Sequence, residues 1–467
     1  MANPVLPNSP VPVARPSIRS VVVLAGLALL LLSYRLQTIG FAVDDLFLAF
    51  DAVKAPWTEI GSLQTGPFLV RIVLWKLGAL FSVEHPYYFI LVVTFAMHGA
   101  ATALMWTLAR ERWDEPVATA VAAVFLLSAS ASEAWFWASA AGDVQMGLFL
   151  LVAFLCWERR TRARRWLAWS FAFVVLAVLS KTSAMLFPAV LWLDAWTQDR
   201  RDARALVPAL AGLQLVLALL AAWAFLNPGA TLDPLTGASP DSIQFYIDGI
   251  AALGELLVRL FTLYRFSRFL PEYTLPALGL IVGAAAVLQT RNRTVRFGLI
   301  WAVVILLIPV LSRGRAQMRY GYAALPGALL AAVAALEWLG ERIPALRGRT
   351  PALLGAFAAL NLIQYGAWLY RPWYCLDLHD ATRAKIRAHG DEVISASQLR
   401  TMIRLHTMRI TDILKYDLNA TVPVTNVDSC DQGGEGPCIG ANWPVTTYSE
   451  CPARGTEESF LFWKSAP

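Results

Sequence analysis

Two adjacent carboxylates, Asp44 and Asp45, stand in the stretch Phe41–Phe50, just after the first long apolar run of the chain. Carboxylates are costly to hold beside lipid and are rarely left there without a role. Two roles suit this pair. An Asp at a helix N-cap satisfies free amides and would open the amphipathic segment Leu46–Val53. A sheltered carboxylate can instead act in catalysis, taking a proton from an attacking hydroxyl. Other ionisable residues recur where later apolar runs end: Glu133, Asp143, Lys181 and Arg319, with Arg71 in the first loop joining them. Acids and bases gathered at one depth neutralise one another and can hold an anionic headgroup. Each also has a plainer use. Lys181 can snorkel to the headgroups, Glu133 can sit in a structural ion pair, and Arg319 can merely flank a span. His98 lies inside an apolar run, where a hydrogen-bonded core histidine is the ordinary case, and Trp135 and Trp137 suit interface anchors.

The elements that must position these residues are membrane helices. The chain has 467 residues, of which 57% are hydrophobic and only 15% charged, with a mean hydropathy of +0.53. Apolar runs of about 15 to 22 residues recur from Ser20 to Tyr370, the length that crosses a hydrocarbon core of about 30 Å. Without water to satisfy the backbone, such runs are helical. The expected fold class is an all-α polytopic membrane protein. The net charge of +6 follows from arginines that fall in alternate loops, as the positive-inside rule predicts. No groove-reading motif or basic–aromatic face accompanies it, so no nucleic-acid partner is implied.

That alternation predicts about 11 transmembrane helices. Residues 1–19 form a Pro-rich, disordered cytoplasmic N-terminus, and the first run reads as an uncleaved span rather than a signal peptide. Residues 20–369 form the transmembrane module. Its two long outer loops, 41–86 and 227–272, carry amphipathic helices that lie along the outer interface, the second over Ile243–Phe269. Glu158–Arg165 is the strongest basic loop, and Arg110, Arg112, Arg200, Arg291, Arg342 and Arg347 mark the same side. Residues 370–467 form a polar extracytoplasmic domain with Cys375, Cys430, Cys438 and Cys451. Four cysteines on the oxidising side suggest two disulfides in any of three pairings. Their irregular spacing, with no Cys-x-x-Cys pair, disfavours a zinc site. The expected location is a multi-pass cell membrane, with the N-terminus inside and the C-terminus outside.

Taken in order, these segments resemble the type-C superfamily of membrane glycosyltransferases that use polyprenyl-phosphate-linked sugars. The likeness is closest to the membrane half of the transmembrane O-mannosyltransferases that carry tetratricopeptide repeats. Asp44-Asp45 occupies the place of the superfamily's acidic pair in the first outer loop. Gly66-Pro-Phe-Leu-Val-Arg71 and His98 are similar to its Arg-Pro and Leu-His segments. Ser132-Glu-Ala-Trp-Phe-Trp137 with Gly142-Asp143 resembles its Thr-Glu-Ala-Val and Arg-Ala-Asp segment. Leu179-Ser-Lys-Thr182 with Pro188 resembles its Leu-Ser-Lys-Glu motif, and Arg319-Tyr-Gly-Tyr322 with Pro326 its Arg-Tyr-Leu-Tyr-Leu-Pro. The matches run over roughly the first 330 residues. Thr182 replaces the family's Glu, Ser130-Ala131 replaces its His-Pro, and the cysteine-bearing segment stands in place of the repeats.

The resemblance implies transfer of a hexose, mannose-like, from a polyprenyl-phosphate donor to an acceptor hydroxyl on the outer face. By the resemblance Asp44 or Asp45 is the base, and direct displacement inverts the sugar; a retaining route would need a second, nucleophilic carboxylate. Glu133, Asp143, Lys181, Arg319, Tyr320, Arg71 and His98 are the substrate-binding candidates, with Lys181 and Arg319 on the phosphate. The partners are membrane lipid, the sugar donor, and a protein, glycolipid or polysaccharide acceptor. No cofactor is implied. The carboxylate pair could hold a divalent metal, but nothing else in the loop completes an oxygen ligand set. Two other functions share the layout: a transporter or flippase of lipid-linked glycans, and a polymerase or ligase of lipid-linked polysaccharide. The absence of an inverted repeat counts against the transporter.

Overall fold

The computed structural model describes residues 16–37, 69–81, 86–136, 140–226, 243–261, 276–281, 292–313 and 318–368, and all regular structure among them is helical. Asp44, Asp45, Trp137 and the four cysteines from Cys375 to Cys451 lie outside the described residues. The helices are α1 (Ile18–Gln37), α2 (Leu69–Phe81), α3 (Pro86–Arg110), α4 (Glu115–Leu127), α5 (Ser132–Phe136), α6 (Ala141–Glu158) and α7 (Arg164–Ser180). After these come α8 (Phe187–Gln198), α9 (Arg200–Leu226), α10 (Ile243–Arg259), α11 (Arg293–Arg313), α12 (Gly321–Arg342) and α13 (Thr350–Trp368). Four of them, within α3, α6, α9 and α12, are long and apolar enough to cross a membrane; Ile18–Ser33, Glu115–Leu127 and Thr350–Gln364 are apolar but shorter.

Apolar residues cover the outside as well as the inside. Val22 and Leu29 of α1, Leu215 and Leu219 of α9 and Ile363 of α13 are exposed, while one continuous core runs through α3, α4, α6, α8, α11 and α12. Helices apolar on every face belong in lipid. Lipid supplies no hydrophobic drive to pack such helices together, so small residues bring their backbones close enough for dispersion contacts. Gly298 of α11 meets Gly327 of α12 in this way. A Cβ on Gly298 would lie 2.3 Å from the Gly327 carbonyl oxygen, and one on Gly327 2.6 Å from that of Gly298.

The two ends of the bundle differ chemically. At one end ion pairs join turns far apart in sequence. Arg112 pairs with Glu158, Arg159 with Glu111 at 3.2 Å, Arg160 with Asp202 at 2.6 Å and Arg293 with Asp194 at 3.5 Å. The arginine-bearing ends of α3, α6, α9 and α11 therefore share one level. Helix lengths then set the depth of everything opposite. At 1.5 Å per residue, the 25 residues of α3 reach about 38 Å and the 27 of α9 about 40 Å,. The 18 residues of α6 reach only about 27 Å and the 13 of α4 about 20 Å,. The far ends of α4 and α6 thus stop short of the far end of α3, which packs on both.

The amphipathic segments are packed on this bundle. In α2 the indole of Trp75 is fully buried, and Phe81 stacks on Phe89 of α3 with centroids 4.6 Å apart. Its 13 residues span about 20 Å, too short to cross the hydrocarbon unaided,. Helix α10 buries Leu256 and Leu257 and exposes Tyr246, Ile247 and Ile250.

Candidate functional site

The end opposite the arginine-rich one is built around a break in the helices. Asp114 caps α4, accepting from the Val117 amide at 3.1 Å, and Pro116 pre-sets its first turn,. The helix stops at Leu127, and a 3₁₀ turn over Ala129–Ala131 leads directly into α5. The stretch that carries Glu133 and Trp135 is therefore helical. Its start is tightened by Ser132, whose hydroxyl donates to the Ala129 carbonyl at 2.8 Å. Irregular backbone at membrane depth survives only where protein groups satisfy it.

Two side chains do this. Asn361 of α13 accepts from the Ala129 amide at 2.9 Å, and its own amide donates to the Phe357 carbonyl at 2.8 Å. His98 of α3, fully buried, reaches the Leu126 carbonyl through Nε2 at 3.1 Å and the Tyr322 hydroxyl through Nδ1 at 2.8 Å. A carbonyl can only accept, so Nε2 carries the proton and Nδ1 accepts from the tyrosine. His98 thus satisfies a carbonyl left over at the end of α4 and orients Tyr322 of α12. The indole of Trp135 lies flat on the imidazole, with centroids 5.4 Å apart and planes 11° from parallel. That position corrects the interface-anchor expectation for Trp135. Its ring is buried because the break turns α5 inward onto His98. Gly147 of α6 closes the cluster, and a Cβ there would lie 2.7 Å from two carbons of the Tyr322 ring.

A second group lies where α6 begins and α7 ends. Asp143 sits in the first turn of α6, and Lys181 is the C-cap of α7. A carboxylate near a helix N-terminus and a cation at a C-terminus each suit the local dipole. The two helices pack along their lengths, so these ends meet and Lys181 Nζ forms an ion pair with Asp143. The Asp143 side chain is 2% exposed and that of Lys181 15%. Lys181 therefore points inward rather than snorkelling. Its ammonium also lies 4.7 Å from the centroid of the Tyr320 ring, with the Arg319 guanidinium 5.7 Å from that same centroid. Met318–Tyr320 form a 3₁₀ turn ahead of α12, and both Arg319 and Tyr320 are buried. Two cations on one aromatic ring, with a carboxylate beside one of them, suit a phosphate-sized anion in low-dielectric surroundings.

Of the residues singled out in the sequence, the structure brings together Asp143, Lys181, Arg319 and Tyr320, with His98 in the neighbouring cluster. Arg71 falls in α2 and Glu133 in α5. Asn361 and Gln145 were missed, and Tyr322 was quoted within its segment but given no role. Asn361 and Tyr322 carry no charge to draw attention, and the partners that join them to other helices are more than 200 positions away. Gln145, two residues after Asp143, is fully buried, and among the described residues neither end of its amide has a hydrogen-bond partner. A primary amide in an otherwise apolar helix was the available signal. Among the described residues no group of three or more His, Cys, Asp or Glu could hold a metal ion. Comparison with protein-family models, with curated proteins and with solved structures finds no match to this chain.

Proposed function

We propose that this chain is an integral membrane glycosyltransferase that moves a hexose from a polyprenyl-phosphate donor to an acceptor hydroxyl at the outer face of a cell membrane. The observation that carries the proposal is the meeting of Lys181 and Arg319 around Tyr320, beside Asp143, at the end of α6 and α7 opposite the arginine-rich one. Their cationic groups suit the donor phosphate, which gains negative charge as the sugar leaves. Asp44 or Asp45 takes the proton of the acceptor hydroxyl as its oxygen attacks the anomeric carbon. The bond to phosphate breaks on the opposite side, the configuration inverts, and polyprenyl phosphate departs. Asp143 holds Lys181 in place until the phosphate arrives. The same proposal includes eleven spans, a cytoplasmic N-terminus, and an extracytoplasmic C-terminal domain closed by disulfides among Cys375, Cys430, Cys438 and Cys451.

The experiment is to incubate the purified protein with several polyprenyl-phosphate sugars and measure donor consumption. Consumption of one sugar donor, with release of polyprenyl phosphate, is the expected result. Binding or transbilayer movement of the donor without consumption would instead identify a lipid-linked glycan transporter.

A further inference from the structure

At the opposite end of α6 and α7 from the proposed donor site lies an apolar groove of about 350 Å³. Leu104 of α3, Val152 and Leu155 of α6 and Phe173 of α7 line it. Trp169 stands at its open side with 55% of its surface exposed. These positions lie within the last two turns of α6 and the first three of α7, so the groove opens on the hydrocarbon near the arginine-rich end. A gap of that size among packed helices forfeits dispersion contacts on every wall unless something fills it. In lipid the available filler is an acyl chain.

The rim decides which lipid. Arg159 and Trp166 border the groove, and the guanidinium of Arg159 lies 5.7 Å from a Trp166 ring centroid, with that of Arg165 at 5.8 Å. The turn above carries five arginines: Arg159, Arg160, Arg162, Arg164 and Arg165. Glu111 pairs with Arg159 and Asp202 with Arg160. Arg162, Arg164 and Arg165 are exposed, and among the described residues no carboxylate lies within ion-pair distance of them. Three uncompensated guanidiniums above an apolar slot match a negatively charged headgroup above an acyl chain. We propose that the groove is a binding site for one anionic phospholipid, with one acyl chain between α3, α6 and α7 and its phosphate against Arg162, Arg164 and Arg165. A zwitterionic lipid fits the slot equally well but brings an ammonium against the same cations.

Native mass spectrometry of the purified chain, released from detergent with equimolar phosphatidylglycerol and phosphatidylcholine of matched acyl chains, tests this. The wild type should retain one phosphatidylglycerol with at least tenfold preference. The variant carrying Arg162→Gln, Arg164→Gln and Arg165→Gln changes only exposed side chains and should retain one lipid with the preference reduced to within twofold. Val152→Trp fills the slot and should lose the bound lipid while the arginines remain. Equal retention of both lipids by the wild type, or none, would overturn the proposal. So would a preference that survives the triple change, or phosphatidylglycerol kept by Val152→Trp, which would mean that the turn alone attracts the headgroup.

Discussion

Replacing Lys181 by Met separates its place in the ion pair with Asp143 from its proposed part in holding the phosphate. Asp143 is almost completely buried and its carboxylate faces Lys181. Removing the cation alone leaves a desolvated charge with its principal partner gone, a change that costs about 3–5 kcal/mol for buried pairs. Asp143→Asn should cost less, because the Lys181 ammonium keeps the Tyr320 ring at 4.7 Å and is the more exposed partner. The double variant Asp143→Asn with Lys181→Met removes both charges at nearly constant volume and should return to within about 1 kcal/mol of the wild type, as paired replacements do. Thermal unfolding in detergent, followed by tryptophan fluorescence, reads the stability; binding of a polyprenyl-phosphate lipid reads the proposed function. Stability should recover in the double variant while lipid binding should not. A Lys181→Met protein as stable as the wild type would refute the buried-pair argument. A double variant that recovers lipid binding as well would show that Lys181 serves Asp143 and not the phosphate.

Three other outcomes are expected, the first from the proposed mechanism and the other two from the structure. Asn is close to Asp in size and a good N-cap, so Asp44→Asn or Asp45→Asn should abolish sugar transfer while expression and donor binding persist; near-normal transfer in both would make the pair structural. Asn361→Leu leaves the Ala129 amide without its acceptor and should cost about 1–3 kcal/mol, seen as a lower Tm and faster hydrogen exchange at Ala129. Gln145→Leu removes a buried amide with neither end paired and should raise stability by about 1–3 kcal/mol; a lower Tm would mean that a bound water or ligand satisfies the amide.

How much could be read before folding differs from residue to residue. Lys181 and Asp143 were legible as charges at the ends of apolar runs, because charge beside lipid is rare enough to stand out in sequence alone. His98 was legible as a polar intrusion in an apolar run, and the plain expectation of a hydrogen-bonded core histidine describes its geometry. Its partners were not legible, since Tyr322 and the Leu126 carbonyl belong to other helices. Trp135 was misjudged for a related reason. Aromatic residues near a run's end usually mark the interface, and nothing local reveals that the chain turns inward after Leu127.

The sequence by itself determined the helical class and the two chemically different ends of the bundle. Hydropathy and the placement of arginines are additive, local properties, and lipid as a solvent leaves helices as the way to satisfy such runs. Only the tertiary structure decided depth and partnership. Helix lengths, set against a common level by ion pairs such as Arg112–Glu158 and Arg160–Asp202, leave the far ends of α4 and α6 short of that of α3. Close packing then selects which side chains meet there. Lys181 lies against Asp143 because α6 and α7 run side by side, and against Tyr320 because the turn before α12 closes over them. The first contact joins residues 38 positions apart and the second residues of segments more than 100 positions apart, and no local pattern encodes either.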